Sequence, residues 1–264
     1  MMGKVWVAML IIALAELFDK EEVVATYTVR LTARDEVAEG TLAFHFEKPV
    51  GFTFKPGQAI DLIVPKQGVA SDSSQARHAF SIVTAPFEDD LIIATRMRDS
   101  AFKQALGALP VGTEVQVEGP FGTLTLHKNT ARAVVFIAGG IGITPFMSIL
   151  RNAVEQGGPQ PLTLIYANRR PEDAAFLAQL QQWERQNPAF RLLATMTQMN
   201  HSSQAWDGHA KPVDGDFIKS AIEPLPSPVF YVSGPPAMVQ AMQATLAAAG
   251  IDEDDVRSEE FYGY

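Results

Sequence analysis

Residues 133–150 read AVVFIAGGIGITPFMSIL, and this stretch decides the fold of the part of the chain that contains it. Its first six residues form an apolar run that is typical of a fully buried strand. Gly139, Gly140 and Gly142 follow, and the apolar stretch beginning at Pro145 is typical of a helix. Such a turn can approach a dinucleotide pyrophosphate, because helix N-terminal amides favour its charge. The spacing departs from G-x-G-x-x-G, so a structural tight turn stays the alternative.

The alternation of strands and helices continues to the end of the chain. Further strands are predicted at 162–166, 190–197, 229–232 and 256–258, and further helices at about 172–185 and 236–249. This alternation predicts βαβ units around a parallel sheet. Ser233, Gly234 and Pro235 follow the strand at 229–232 as the glycine-rich turn follows its own strand. Because the carboxyl ends of parallel strands meet at one sheet edge, we expect the two turns to form the walls of one cleft.

The first part of the chain has a pattern of short strands and turns. β-Branched and aromatic runs stand at 25–32, 40–46, 59–64, 79–83, 91–95, 114–118 and 123–126, and one helical stretch at 101–109. This spacing predicts an antiparallel barrel or sandwich. We therefore predict an apolar extension over residues 1–22, an antiparallel β-barrel domain over 23–128 and an α/β parallel-sheet domain over 129–264.

The composition excludes several classes of protein. The 264 residues include no Cys, so this sequence carries no disulfide scaffold, thiol nucleophile, Cys-ligated zinc site or conventional iron–sulfur cluster. A formal net charge of −9 argues against nucleic-acid binding. The five His residues form no helical i, i+4 pair, so no metal site is predicted. The apolar run from Val5 to Leu14 is too short to span a bilayer; we expect an extra helix or an upstream extension, with a secretory signal as the alternative.

The segment RHAFSI at residues 77–82 places basic, aromatic and hydroxyl groups on one short strand. Strand alternation puts His78 and Phe80 on one face and Ser81 on the other. A basic cluster follows in the next strand and helix, formed by Arg96, Arg98 and Lys103. The cluster is either a solvated face or a site that neutralises phosphate.

Four motifs in order, with the C-terminal tail, resemble the ferredoxin–NADP reductase family over residues 23–264. They are HAFSIVTAP at 78–86, GPFGTL at 119–124, FIAGGIGITPFMSIL at 136–150, YVSGPPAMVQAM at 231–242 and EEFYGY at 259–264. The resemblance implies a flavin-binding β-barrel, a nicotinamide-dinucleotide domain and FAD at their junction, without an iron–sulfur domain.

For the flavin, the resemblance places His78, Ala79, Phe80 and Ser81 where the family has Arg-x-Tyr-Ser. It implies that Arg77 or His78 binds phosphate, that Phe80 packs on the flavin and ribose, and that Ser81 forms a hydrogen bond near flavin N5. Two further segments match the family. They are Ala94-Thr95-Arg96, which would line the ribityl side, and Ala101-Phe102-Lys103, where Lys103 and backbone amides would replace the family's Ser or Thr on the second phosphate.

For the nucleotide, the resemblance assigns a pyrophosphate loop consisting of Gly139, Gly140, Gly142, Thr144 and Pro145. The family's Cys-Gly-Pro motif is here Ser233-Gly234-Pro235, so a hydroxyl replaces the thiol beside the nicotinamide. The tail would supply a carboxylate near the flavin, assigned to Glu260 with Glu259 left open, and an aromatic ring, Tyr264, over it. Ser81, Ser233 and Glu260 are thus the expected catalytic residues.

The implied function is that of a cytoplasmic FAD-dependent NAD(P)H oxidoreductase. A hydride would pass from nicotinamide to flavin, and electrons would leave to ferredoxin, flavodoxin, or an oxygenase or haem component. The alternative is a flavin-bound electron-transfer or regulatory subunit without its own turnover, which Ser233 would favour. After the strand at 162–166 stand Asn168 and Arg169 without a neighbouring acid, which predicts NADPH over NADH, since Arg suits a 2′-phosphate.

Overall fold

The structure, a computed structural model, describes residues 25–65, 75–223 and 225–262. The predicted extension over residues 1–22 and the predicted site residue Tyr264 therefore lie outside the described residues. Within the described ranges the chain forms two sheets, one antiparallel and one parallel, as the two sequence patterns predicted.

The antiparallel sheet has six strands in the order β4-β3-β6-β1-β2-β5. Their bounds are β1 Thr26–Ala38, β2 Thr41–Glu47, β3 Ala59–Pro65, β4 Gln75–Ser81, β5 Asp90–Arg96 and β6 Glu114–Phe121. Beyond the end of β4, the Val83 amide donates to the Ile92 carbonyl of β5 at 2.8 Å, which draws the two edges together into a barrel-like sheet. Helix α1, Ala101–Ala108, connects β5 to β6 and is capped by the Ser100 hydroxyl.

The predicted strand at 123–126 is wrong, because no strand is assigned there. The segment is a connection packed between the two sheets, with Leu124 buried in the core of the second half. Gly57, at a φ of +94°, approaches it so closely that a Cβ atom would lie 2.1 Å from the Leu124 carbonyl oxygen. The apolar residues that suggested a strand are therefore buried by tertiary contacts instead of by strand pairing.

The parallel sheet has five strands in the order β11-β10-β7-β8-β9. The bounds are β7 Val134–Gly139, β8 Leu162–Asn168, β9 Phe190–Met196, β10 Val229–Gly234 and β11 Val256–Glu260. The helices are α2 Thr144–Gln156, α3 Leu177–Gln186, α4 Gly215–Ile222 and α5 Pro236–Ala248. This order places β7 beside β10, so their carboxyl ends are neighbours.

Two helices differ from the sequence prediction. The helix expected at about 172–185 is divided into a 3₁₀ turn, Pro171–Asp173, and α3, because Phe176 between them adopts a left-handed φ of 62°. Helix α4 was not predicted, although Asp214 caps it by accepting a hydrogen bond from the Phe217 amide at 2.8 Å. The helix begins at Gly215, and because glycine is unfavourable in helices and common in turns, the segment resembled a turn in the sequence.

The two sheets share part of one hydrophobic core. Ala43, Val83, Ile92 and Ala94 of the antiparallel half belong to the same buried cluster as the β7 and α2 side chains. At its edge, the Ser148 hydroxyl of α2 donates to the Thr84 carbonyl at 2.6 Å, fully buried. The junction between the halves is therefore packed, and a site that both halves line has a defined shape.

Candidate functional site

A cavity of about 240 Å³ lies at the junction of the two sheets. Its volume is slightly below the roughly 300 Å³ at the lower end of typical ligand pockets, so it suits a ring system better than a whole dinucleotide. The residues lining it come from both halves and from the C-terminal tail: Ala59, His78, Ala79, Phe80, Ser81, Ala94, Thr95, Lys103, Phe121, Ile141, Thr144, Glu259, Glu260, Phe261 and Tyr262. Eight of the predicted site residues are in this set.

Strand register explains why the cavity forms at this place. Ala59, at the start of β3, pairs with Ser81 on β4 and also with Phe121 on β6. The cavity therefore opens where β4 and β6 end on either side of β3. Ala59 and Phe121 were missed by the sequence analysis, because pairing partners cannot be identified without knowing the register.

Ser81 and Ser233 are both buried, with exposed fractions of 6% and 0%. The side-chain hydroxyl of each has no hydrogen-bond partner within the structure. A buried hydroxyl without a partner costs free energy and is uncommon in native proteins, so both positions are candidates for a contact with a ligand or an ordered water. Ser81 faces the cavity, whereas Ser233 lies beside it on β10, under the glycine-rich turn.

His78 and Phe80 lie on the same face of β4, as alternation predicted. Their rings stack at 4.9 Å between centroids, and Phe102 of α1 packs against them at 5.4 and 5.9 Å. His78 and Phe80 line the cavity and form an aromatic wall, against which Phe102 packs. Such a wall suits a flat ring system, because offset aromatic stacking is favourable.

The basic residues of the first half have separate environments. Lys103 is buried beside the cavity, and its ammonium donates to the Arg96 carbonyl at 2.9 Å. Burial lowers the pKa of Lys103, and the neighbouring charge of Arg98 adds to this effect. Arg96 is ion-paired with Asp173 at 3.0 Å. Arg77 does not line the cavity and is paired with Asp61 at 3.1 Å and with Glu118.

The two glutamates of the C-terminal strand, Glu259 and Glu260, have different environments. Glu260 accepts hydrogen bonds from Gln240 of α5 at 3.2 Å and from the Tyr262 hydroxyl at 2.5 Å. Burial raises the pKa of the Glu259 carboxyl. Both residues line the cavity, but Glu259 also borders a second cleft between β11 and residues 122–124. The Phe261 amide donates to the Gly234 carbonyl at 2.9 Å, which fixes the tail against β10.

The two turns predicted as the walls of a cleft are in direct contact. A Cβ atom on Gly142 would lie 2.5 Å from the Ser233 carbonyl oxygen, and one on Gly234 would lie 3.2 Å from the Gly139 Cα. Gly140 has a φ of +55° with open space around its Cα, so its backbone is accessible from the cleft. Thr144 and Pro145 begin α2 directly above this turn, and Pro235 precedes α5 in the same way.

The end of β8 carries Asn168 and Arg169. Asn168 is buried, and among the described residues its side-chain amide atoms have no hydrogen-bond partner of normal geometry. Arg169 is exposed, and its guanidinium is in none of the ion pairs found among the described residues. Both residues stand at the carboxyl edge of the sheet next to the glycine-rich turn, since β8 pairs with β7. Within the described ranges, no group of three or more His, Asp or Glu could hold a metal ion.

Several known proteins are similar to this chain in sequence. Residues 136–244 match the oxidoreductase NAD-binding domain. The chain is 28% identical over 221 residues to the reductase component of propane 2-monooxygenase from Mycolicibacterium goodii, covering 81% of this chain and 61% of that one. It is 28% identical over 233 residues to NADH-cytochrome b5 reductase 1 of Aspergillus oryzae, covering 83% and 77%. The chain spans 56–61% of the length of the oxygenase reductase components that it matches.

Solved structures share the fold. The FAD/NAD-binding domain of nitric oxide dioxygenase from Vibrio cholerae superposes with a TM-score of 0.77 at 20% identity, covering 89% of this chain and 98% of that one. A ferredoxin NADP⁺ reductase from Neisseria gonorrhoeae gives 0.73 at 20% identity, covering 89% and 98%. The chain therefore shares the two-sheet fold of these ferredoxin–NADP reductase-like structures, and its residues 136–244 match the oxidoreductase NAD-binding domain. The predicted resemblance to this family is confirmed.

Proposed function

We propose that this protein is an FAD-dependent NAD(P)H oxidoreductase that passes electrons to a separate acceptor. The observation that carries the proposal is the unpaired, buried Ser81 hydroxyl, which faces a cavity between the antiparallel sheet and the glycine-rich turn. A flavin ring fits this place chemically, because it offers a flat face to the aromatic wall and polar ring atoms to the hydroxyl. When bound, FAD supplies two-electron acceptance from a nicotinamide and release of electrons to the acceptor.

Different residues of the chain bind different parts of FAD and of the nicotinamide dinucleotide. His78 and Phe80 hold the ring system and adjacent ribityl chain, while Lys103 and the backbone amides at the start of α1 bind phosphate. Lys103 lines the cavity, whereas the side chains of Arg77 and Arg96 are paired with carboxylates and neither residue lines it, so Lys103 is the phosphate ligand that we favour among the three. Gly139, Gly140, Gly142, Thr144 and Pro145, with Gly234 and Pro235, form the wall that receives the dinucleotide pyrophosphate.

Ser81 and a tail carboxylate handle the proton and hydrogen bonding at the flavin. Of the two glutamates, Glu259 suits this role better than the expected Glu260, because the Glu260 carboxylate is already bonded to Gln240 and Tyr262. The raised pKa of Glu259 moves this carboxyl toward the range in which it exchanges a proton. Ser233 keeps a small polar group beside the nicotinamide.

An oxygenase component or a cytochrome b5-like haem protein is the acceptor that we favour. The support is that relatives at 25–28% identity are named as oxygenase reductase components or NADH-cytochrome b5 reductases. We also propose a cytoplasmic location and a boundary between the halves at residues 128/129. Among the described helices, none has the length and apolar character required to cross a membrane.

NADPH is the proposed preferred nucleotide, because exposed Arg169 stands at the end of β8 where a 2′-phosphate would lie. Arg169→Ala is expected to lower the NADPH/NADH ratio of kcat/KM by about tenfold. Arg191→Ala, an exposed arginine at the start of β9, is the matched control and should leave the ratio unchanged. Equal efficiency with NADH in the unmodified protein would contradict the preference and leave the flavin proposal intact.

Steady-state oxidation of NADPH and NADH with ferricyanide tests the proposed activity. We expect turnover after reconstitution with FAD. A protein that binds FAD but does not oxidise either nucleotide would support the alternative, an electron-transfer or regulatory subunit.

A further inference from the structure

We propose that Asp173 is a positioning residue, which holds the nucleotide-binding strand end against the flavin cavity through Arg96. This inference rests on the proposed function. Asp173 was not among the predicted site residues and does not line the cavity. It stands on the 3₁₀ turn Pro171–Asp173, after β8, in the nucleotide-binding half.

The Asp173 carboxylate joins arginines from both halves. Its Oδ1 lies 3.0 Å from the Arg96 guanidinium, at the end of β5, and 2.9 Å from the Arg170 guanidinium. Its Oδ2 accepts a second bond from Arg170 at 3.0 Å. Only 5% of the Asp173 side chain is exposed, against 31% of Arg96 and 23% of Arg170, so salt screens these pairs less than it screens a fully exposed ion pair.

The charge of this carboxylate is maintained by its partners. Hydrogen bonds from Arg170, with the charge of Arg96, lower the pKa of Asp173 although its burial acts in the opposite direction. Removal of one member of such a buried pair leaves an uncompensated charge, which is strongly unfavourable. The geometry around Asp173 is therefore tightly specified, in contrast to an exposed surface ion pair.

Arg96 connects Asp173 to the flavin cavity. Arg96 directly follows Thr95, which lines the cavity, and the Arg96 carbonyl accepts the hydrogen bond from the Lys103 ammonium. Arg96 therefore links the Asp173 carboxylate to the wall of the flavin cavity. Pairing with Asp173 also means that the Arg96 guanidinium serves the junction instead of directly binding phosphate.

Arg170 connects Asp173 to the nucleotide-binding edge of the parallel sheet. Arg170 follows Asn168 and Arg169 at the end of β8, and its guanidinium also bonds Glu39 at 2.9 Å. The Glu39 amide in turn donates to the Glu172 carbonyl at 2.8 Å. These bonds hold the segment after β8 against the turn between β1 and β2. Asp173, with Arg96 and Arg170, therefore sets the position of the nucleotide-binding strand end relative to the flavin cavity.

Asp173→Asn and Arg96→Gln, singly and together, test the proposal in protein loaded with FAD. The limiting rate of flavin reduction at saturating NADPH should fall about ten- to a hundredfold in each single variant, since small misplacements of reactants are costly. The double variant should be no slower than the slower single variant, because both changes break one interaction. The dissociation constants of FAD and, in flavin-free protein, of NADP⁺ should change by less than about threefold, since the Arg96 guanidinium is paired with Asp173 and neither residue lines the cavity.

The control is Asp255→Asn, which breaks the Arg132–Asp255 pair of 2.6 Å within the nucleotide-binding half. It should leave the limiting rate unchanged. An unchanged limiting rate in Asp173→Asn with only a lower Tm, or losses in the double variant that multiply, would overturn the proposal. Should Asp173→Asn not fold, Arg96→Gln decides alone: a slower rate at unchanged FAD affinity supports positioning, and weaker FAD binding at an unchanged rate refutes it. An unmodified protein that is not reduced at all would instead refute the proposed function.

Discussion

Ser81 is the residue on which the proposed chemistry depends most directly. Because its buried hydroxyl has no partner within the structure, Ser81→Ala removes no hydrogen bond from the fold, and Tm should stay the same or rise. Flavin should remain bound, while its reduction slows tens- to hundreds-fold, which corresponds to roughly 2 kcal/mol of lost transition-state stabilisation. Stopped-flow reduction measures this rate. Ser220→Ala on exposed α4 is the control, and an unchanged rate in Ser81→Ala would remove Ser81 from the mechanism.

The ionised carboxylate of Glu259 destabilises the fold, and Glu259→Gln should show this. Its folded-state pKa is raised by burial, so the ionised form is disfavoured in the fold and stability falls as pH rises through that pKa. Glu259→Gln should therefore have a higher Tm than the unmodified protein at about pH 8, with a smaller difference at about pH 5, while turnover falls at least about tenfold. Thermal denaturation across this pH range checks the sign.

Glu260→Gln is the companion measurement, because the sequence analysis assigned the catalytic carboxylate to Glu260. The geometry predicts the larger loss of turnover in Glu259→Gln. A larger loss in Glu260→Gln, with Tm differences independent of pH in Glu259→Gln, would restore the original assignment.

At the scale of elements, the contact between the two βα turns is the feature most sensitive to substitution. In Gly142→Ala the new Cβ would lie 2.5 Å from the Ser233 carbonyl oxygen and 2.6 Å from the Gly234 Cα, so the turns must separate. We expect a loss of about 1–3 kcal/mol of stability and a fall in kcat/KM for NADPH of at least about tenfold, with FAD still bound. Urea denaturation and steady-state kinetics measure the two effects.

Gly158→Ala provides the comparison, because Gly158 has open space around its Cα and no left-handed φ. It should change neither stability nor kinetics. Wild-type kinetics in Gly142→Ala would mean that the close approach of the turns does not shape the nucleotide site.

Elements were predictable from sequence wherever a local pattern determines them. The strand, glycine turn and helix at 133–150 were predicted correctly, since burial on both faces makes the strand continuously apolar. The segment at 123–126 was misread because its burial comes from Gly57 and the second half of the chain, which no local pattern shows. Phe176 divided a predicted helix by a left-handed conformation that an aromatic residue rarely adopts.

For the whole molecule, the sequence predicted both sheets and their junction, but not the contacts that join them. Four ordered motifs placed His78, Ser81 and Thr144 at the cavity. The role of Asp173 could not be predicted from the sequence, because its partner Arg96 is 77 positions away. Long-range pairs of this kind determine how two sheets meet, and only the three-dimensional structure identifies them.

Anaerobic stopped-flow absorbance of the whole chain reconstituted with FAD tests the proposed transfer of a hydride from nicotinamide to flavin. We expect a yellow protein whose visible flavin bands are bleached by NADPH, and more slowly by NADH, at a rate that saturates with nucleotide concentration. A chain that retains neither FAD nor FMN after reconstitution, or one whose bound flavin keeps its oxidised spectrum with both nucleotides, would contradict it.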